Sequence, residues 1–143
     1  PEGEKMAVSI LRRLKMDNDT IRKARSLIKW HDFRPKGDAV SVRKAISMIG
    51  EELFPLYLEV QRADILAQSL YKREEKLKRL SSVKALYKEI MDRGECISLK
   101  TMALTGRDLI DAGYAPGKEL GEILERLLAH VLENPEDNKK KYF

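Results

Sequence analysis

The chain has 143 residues, 43% of them hydrophobic, 36% charged and 6% aromatic, and carries a net charge of +5. That composition fits one helical core or two small packed subdomains. It excludes a membrane-spanning run of roughly 18 apolar residues and shows no signal-peptide pattern, and the single Cys96 excludes an internal disulfide. Together these predict a reducing, cytoplasmic setting.

The positive charge is uneven. Residues 1–50 hold 12 basic and 6 acidic side chains, residues 51–100 hold 10 and 9, and residues 101–143 hold 6 and 8. A cationic first third suits a polyanionic partner, because each neutralised phosphate releases condensed counterions. The chain opens on Pro1 and not on methionine. The expectation is a portion of a longer protein whose function depends on sequence outside it.

Each long segment reads as helix. Ala7, Ile10, Leu11 and Leu14 make a first amphipathic face. Asp17-Asn18-Asp19 interrupts it and supplies a cap for a second helix, with Ile21, Ala24, Leu27 and Ile28 inward and an end near Trp30. Pro35 and Gly37 make residues 31–39 a loop. Ser41 is the expected cap of a third helix closed by Gly50, and Glu51-Glu52 the expected opening of a fourth that tolerates Pro55 in its first turn. A long charged helix follows from Tyr71 to Met91, with Leu77, Leu80, Lys84, Tyr87 and Met91 near one face and Gly94 at its end. Ser98 to Leu104 reads as a short helical step.

The segment from Leu104 to Leu124 is the most unusual. Thr105 and Asp108 have the spacing of a capping box, and Gly113 sits where a helix ends in a left-handed residue. Pro116 is expected in the first turn of the next helix. That helix carries Leu120, Ile123, Leu124, Leu127, Leu128 and Val131 as one stripe of period 3.6. Gly121 interrupts it, which suggests close packing or close approach of a ligand. Asn134-Pro135 stops the helix, and residues 138–143 read as a basic end that frays. No strand alternation is visible. The fold class is all-α, an array of two small subdomains joined by a long helix, with boundaries at 1–70, 71–97 and 98–143.

Few constellations carry chemistry. His31-Asp32 invites a metal, but the only other histidine is His130, and no CxxC, HExxH, EF-hand or P-loop occurs. The simpler account is that His31 terminates a helix, where imidazole and cationic side chains are favourable. Asp64 lies among apolar neighbours, so a buried carboxylate partnered by Arg62 or by another helix is expected. Arg22, Arg25, Lys29 and Arg34 cluster with Trp30 and Phe33, a pattern that either holds a nucleic-acid backbone or anchors a core beneath solvated cations. Near Gly117 and Lys118, free backbone N–H groups at a helix start could face a phosphate.

Three stretches resemble the C-terminal half of bacterial CCA-adding enzymes and the related poly(A) polymerases. They are Leu11-Arg12-Arg13-Leu14-Lys15-Met16-Asp17-Asn18, Ile28-Lys29-Trp30-His31-Asp32 and Gln61-Arg62-Ala63-Asp64-Ile65-Leu66-Ala67-Gln68. The glycine-rich hairpin, Leu104-Thr105-Gly106-Arg107-Asp108-Leu109-Ile110 through Pro116-Gly117 to Gly121-Glu122-Ile123-Leu124, is the most specific match. The resemblance implies an all-helical HD-like region followed by a tail that holds tRNA or other RNA. It places catalysis, Mg2+ and nucleoside triphosphates in an N-terminal nucleotidyltransferase head whose motifs do not occur here, and so no cofactor and no catalytic residue in this chain. On it, RNA contact is expected at Arg22, Arg25, Lys29, Arg34, Arg107, Gly117 and Lys118. Asp64 resembles the last acid of an HD metal site that is otherwise incomplete, whereas His31-Asp32 is not the HD dipeptide. Alternative readings are an HD-type metal-dependent phosphohydrolase fragment and a helical interaction module, in which the stripe from Leu120 to Val131 makes a homodimer.

Overall fold

The computed structural model describes residues 2–142, apart from the side chain of Tyr142. Seven α-helices follow one another: α1 (Glu2–Arg13), α2 (Asn18–Trp30), α3 (Ala39–Ile49), α4 (Phe54–Ala67), α5 (Arg73–Asp92), α6 (Gly106–Asp111) and α7 (Lys118–Glu133). Two short 3-10 turns, Pro135–Asp137 and Lys140–Tyr142, come after α7. The described residues contain no strand, so the all-α expectation holds. The chain divides into two units. One takes the chain up to Gly37 together with Ile49–Lys84, and the other takes Asp38–Met48 with the chain from Ala85 onward.

In the first unit α1 and α2 form a helical hairpin. Asp17 caps α2 by accepting the Thr20 N–H at 2.9 Å, as the acidic interruption predicts. α1 stops at Arg13, and Lys15 turns the chain with φ +55°, so Leu14 leaves the helix and stays exposed. α4 begins at Phe54, three residues after Glu51, because Gly50 with φ +100° first closes α3 and a turn intervenes. Ile21, Phe54, Tyr57, Leu58, Ile65 and Val83 are buried. Each such apolar side chain contributes about 1.5–3 kcal/mol relative to exposure. On α5 the buried positions are Val83 and Ile90, while Lys84 faces solvent.

The second unit is built on the hairpin of α6 and α7. Cys96, Met102, Leu104, Leu109 and Val131 make its core, with Leu120, Ile123, Leu124, Leu127 and Leu128 packed against them. The apolar stripe of α7 is therefore core-facing here. Asp38 takes the cap of α3 that was expected of Ser41: its carboxylate accepts both the Ser41 N–H at 2.9 Å and the Ser41 hydroxyl at 2.8 Å. Arg43 on α3 donates from Nε to the Leu132 carbonyl at 2.7 Å, a buried bond, and from Nη1 to Glu95 at 2.9 Å, a part-buried one. Residues 98–104 are turns, not a helical step.

The capping box is complete. Thr105 Oγ1 accepts the Asp108 N–H, and Asp108 Oδ2 accepts the Thr105 N–H at 2.8 Å. Gly113 has φ +103°, and the Tyr114 N–H bonds back to the Leu109 carbonyl at 3.0 Å, which closes α6 as expected. Pro116 is not in the first turn of α7. Gly117 is the N-cap with φ +151°, so the proline lies outside the helix. The side chains of residues 138 and 140 bond back to residues 103 and 108. Asn138 accepts from the Ala103 N–H at 2.7 Å, and Lys140 pairs with Asp108 at 2.7 Å. Phe143 lies outside the described residues.

Candidate nucleic-acid interface

α4 puts Tyr57, Gln61 and Asp64 one helical turn apart on a single face. The first two are 1% exposed and hold the loop that follows α2. Tyr57 donates its phenol proton to the Phe33 carbonyl at 2.6 Å, and Gln61 Nε2 donates to the His31 carbonyl at 2.8 Å. Burial pushes the Tyr57 phenol up to about 12, against the opposing influence of Arg34 and Arg79. Asp64 is not the buried acid its neighbours suggested. It is 46% exposed, and its partners are Arg34 at 2.8 Å and Gln68 at 2.9 Å, not Arg62.

A second polar chain continues from there. Lys76 donates to Gln68 Oε1 at 2.7 Å, so Arg34, Asp64, Gln68 and Lys76 are linked end to end. Arg73 stitches the turn between α4 and α5 by donating to the carbonyls of Leu66 (3.0 Å) and Gln68 (2.6 Å). Lys72, with φ +53°, places its ammonium 5.6 Å from the centre of the exposed Tyr71 ring. The result is an open cleft of about 300 Å³ lined by Asp32, Arg34, Ile65, Gln68, Lys76 and Arg79. Beneath it is a cavity of about 20 Å³ that shares Arg34, Ile65, Lys76 and Arg79 and reaches Tyr57 and Gln61.

The cations expected at an RNA contact lie in two units. In the first, Arg22 pairs with Asp19 at 2.7 Å, which raises its pKa, and Glu52 lies 3.8 Å away. Arg25 bonds Glu4, and that hydrogen bond holds the Glu4 carboxyl below its ordinary value. Lys29 lies 4.8 Å from the Trp30 ring centre, and Trp30 meets Phe33 edge-on at 6.0 Å. Both rings are half-buried. Of these four cations Arg34 alone lines the cleft. In the second unit Arg107 is 3.9 Å from Asp111, and Lys118, 92% exposed, is 3.7 Å from Glu122. Lys76 and Arg79 escaped the sequence reading. Their signal was Lys72-Arg73-Glu74-Glu75-Lys76-Leu77-Lys78-Arg79, in which 76 and 79 share a helix face while the preceding glutamates lower the net charge.

His31 caps α2, with Nδ1 2.6 Å from the Ile28 carbonyl and Nε2 3.1 Å from Asp32. His130 meets Asp137 at 2.7 Å. Among the described residues neither has a hydroxyl or thiol partner, and Cys96 is buried. Among the described residues no group of three His, Cys, Asp or Glu side chains is placed to hold a metal ion, and no helix is long and apolar enough to cross a membrane.

The described residues form an all-helical fold in which Arg34, Lys76 and Arg79 line an open cleft. A family model described as tRNA nucleotidyltransferase domain 2 matches residues 2–143, and the chain belongs to that family. Comparison with curated proteins and with solved structures gives no match.

Proposed function

We propose that this chain is the RNA-holding region of a tRNA 3′-terminal nucleotidyltransferase, of the CCA-adding or poly(A) type, and carries no catalytic residue of its own. The observation that carries the reading is the family match along residues 2–143. The cation-lined cleft supports it, since helical faces that neutralise phosphates suffice to hold a duplex recognised by shape. An N-terminal head would supply Mg2+, nucleotide binding and the transfer step in the cytoplasm. Arg22, Arg25, Lys29, Arg34, Arg107, Gly117 and Lys118 are the proposed contacts, with Lys76 and Arg79 added from the structure. A homodimer is the proposed arrangement of the whole protein.

The test is fluorescence anisotropy of labelled tRNA with this chain across a salt series, paired with a nucleotide-incorporation assay. Binding that weakens as salt rises, with no incorporation until the head is added, is the expected result. Absence of binding at low salt, or incorporation by the chain alone, overturns the reading.

A further inference from the structure

The cleft, the small cavity that shares its lining and the turn before α5 together offer three features that no structural role exhausts. Arg79 has no hydrogen-bond or ion-pair partner among the described residues, and Lys76 is bonded to the neutral amide of Gln68. Arg34 is the one cleft cation already paired, with Asp64. The second feature is an acceptor. Gln61 is 1% exposed and lines the cavity below, yet its Oε1 meets no donor. Its amide cannot be turned to cure this, because Nε2 is fixed as donor to the His31 carbonyl. A buried acceptor without a donor is costly, and a cavity of about 20 Å³ is the size of one hydroxyl oxygen. Third, Tyr71 stands 72% exposed beside Lys72, which lines a neighbouring cleft with Glu75, Lys76 and Arg79.

We propose that this cleft is a ribose-phosphate site for an unpaired RNA nucleotide. Lys76 and Arg79 hold the phosphate, a ribose hydroxyl donates to Gln61 Oε1, and the base stacks on Tyr71. A phosphate alone would satisfy the cations but leave the glutamine acceptor unmet. A neutral hydroxyl compound would do the reverse. An RNA nucleotide carries both groups and an aromatic face, and the site rests on the RNA-holding reading above.

The experiment measures anisotropy of a short labelled single-stranded RNA, its DNA counterpart and labelled tRNA with the full chain. The chain is tested as wild type, Lys76→Ala/Arg79→Ala, Tyr71→Ala, and the charge control Lys88→Ala, each checked by thermal melting. The double variant is expected to bind single-stranded RNA about tenfold more weakly, with the salt slope reduced by about one. Tyr71→Ala is expected to lose about tenfold by the stacking range for one base, Lys88→Ala to bind as wild type, and the DNA strand to bind several-fold more weakly than RNA. Wild-type tRNA binding with single-stranded binding unmoved by the double variant overturns the site and leaves the RNA-holding reading standing. Equal affinity for RNA and DNA removes the hydroxyl from the site, and an unchanged Tyr71→Ala removes the stack. Absence of binding to both tRNA and the short strand overturns the reading and the site together.

Discussion

Gly121 stands in the exposed interior of α7 with no heavy atom within 4 Å of where a Cβ would project. Alanine there removes backbone freedom from the unfolded chain and strains nothing, so Gly121→Ala is expected to stabilise the protein by about 1 kcal/mol. A urea titration checks it, and a loss of stability would reveal a contact that this geometry does not contain. Close packing belongs instead to Gly106, whose added Cβ would meet Leu124 at 3.4 Å. Spacing alone could not tell these two glycines apart, because the difference depends on which neighbour the hairpin brings over each. The capping box was legible because its partners lie three residues apart. Thr105→Ala removes the acceptor of the Asp108 N–H and is expected to cost about 1 kcal/mol. Lys140, and after it Thr105, hold the Asp108 carboxyl well below the usual carboxylate range. A lowered folded pKa gives stability that is present above the ordinary value and lost as pH falls through the folded one. The stability difference between wild type and Lys140→Ala is therefore expected to be full at neutral pH and to shrink below about pH 4. Denaturant midpoints at stepped pH measure it, and a difference constant with pH would break the assignment.

At the scale of elements, the partners that fix each helix are often distant in sequence. Helix existence followed from apolar periodicity, and the ends of α2, α5 and α7 from Asp17, Gly94 and Asn134-Pro135. The starts of α3 and α4 shifted because Asp38 and Gly50, not the residues after them, set the local hydrogen bonds. No periodicity announces that Tyr57 and Gln61 grip a loop 24 and 30 residues upstream. Nor does sequence pair Asp64 with Arg34, since Arg62 is the nearer cation along the chain. Arg43 is the sharper case. Arg43→Met keeps the bulk but strands the Leu132 carbonyl and leaves Glu95 only the more distant Arg93 at 3.7 Å, and breaking a largely buried pair on one side costs about 3 kcal/mol. A denaturation midpoint within experimental error of wild type would show that α3 is held by packing alone. Tyr57 gives a pH-dependent check on α4. Its phenol is pushed up to about 12 by burial, so the stability it contributes is full below pH 10 and lost as pH rises toward 12. An ultraviolet phenolate titration is expected to show one tyrosine ionising late, and that late step is expected to vanish in Tyr57→Phe.

For the molecule as a whole, net charge is a poor guide to where a polyanion would rest. The first fifty residues carry the largest excess, yet Arg22 and Arg25 spend their charge on Asp19, Glu52 and Glu4. A cation held against a carboxylate has little field beyond the Debye length of about 8 Å at physiological salt, and a phosphate must displace the carboxylate to reach it. Residues 51–100 are nearly neutral in sum, but among the described residues Arg79 has no hydrogen-bond or ion-pair partner and Lys76 is bound to a neutral amide. The expected ranking of tRNA affinity at fixed ionic strength is therefore the reverse of the charge excess. Lys76→Ala/Arg79→Ala is expected to weaken binding about tenfold, and Arg22→Ala/Arg25→Ala less than about threefold, since both arginines are already held by carboxylates that a phosphate must displace. The measurement is anisotropy of both double variants side by side, with melting curves to confirm that each is folded. If the ranking is inverted, phosphate displaces those carboxylates readily, and the α1–α2 hairpin, not the cleft beside α5, is the principal RNA-bearing face.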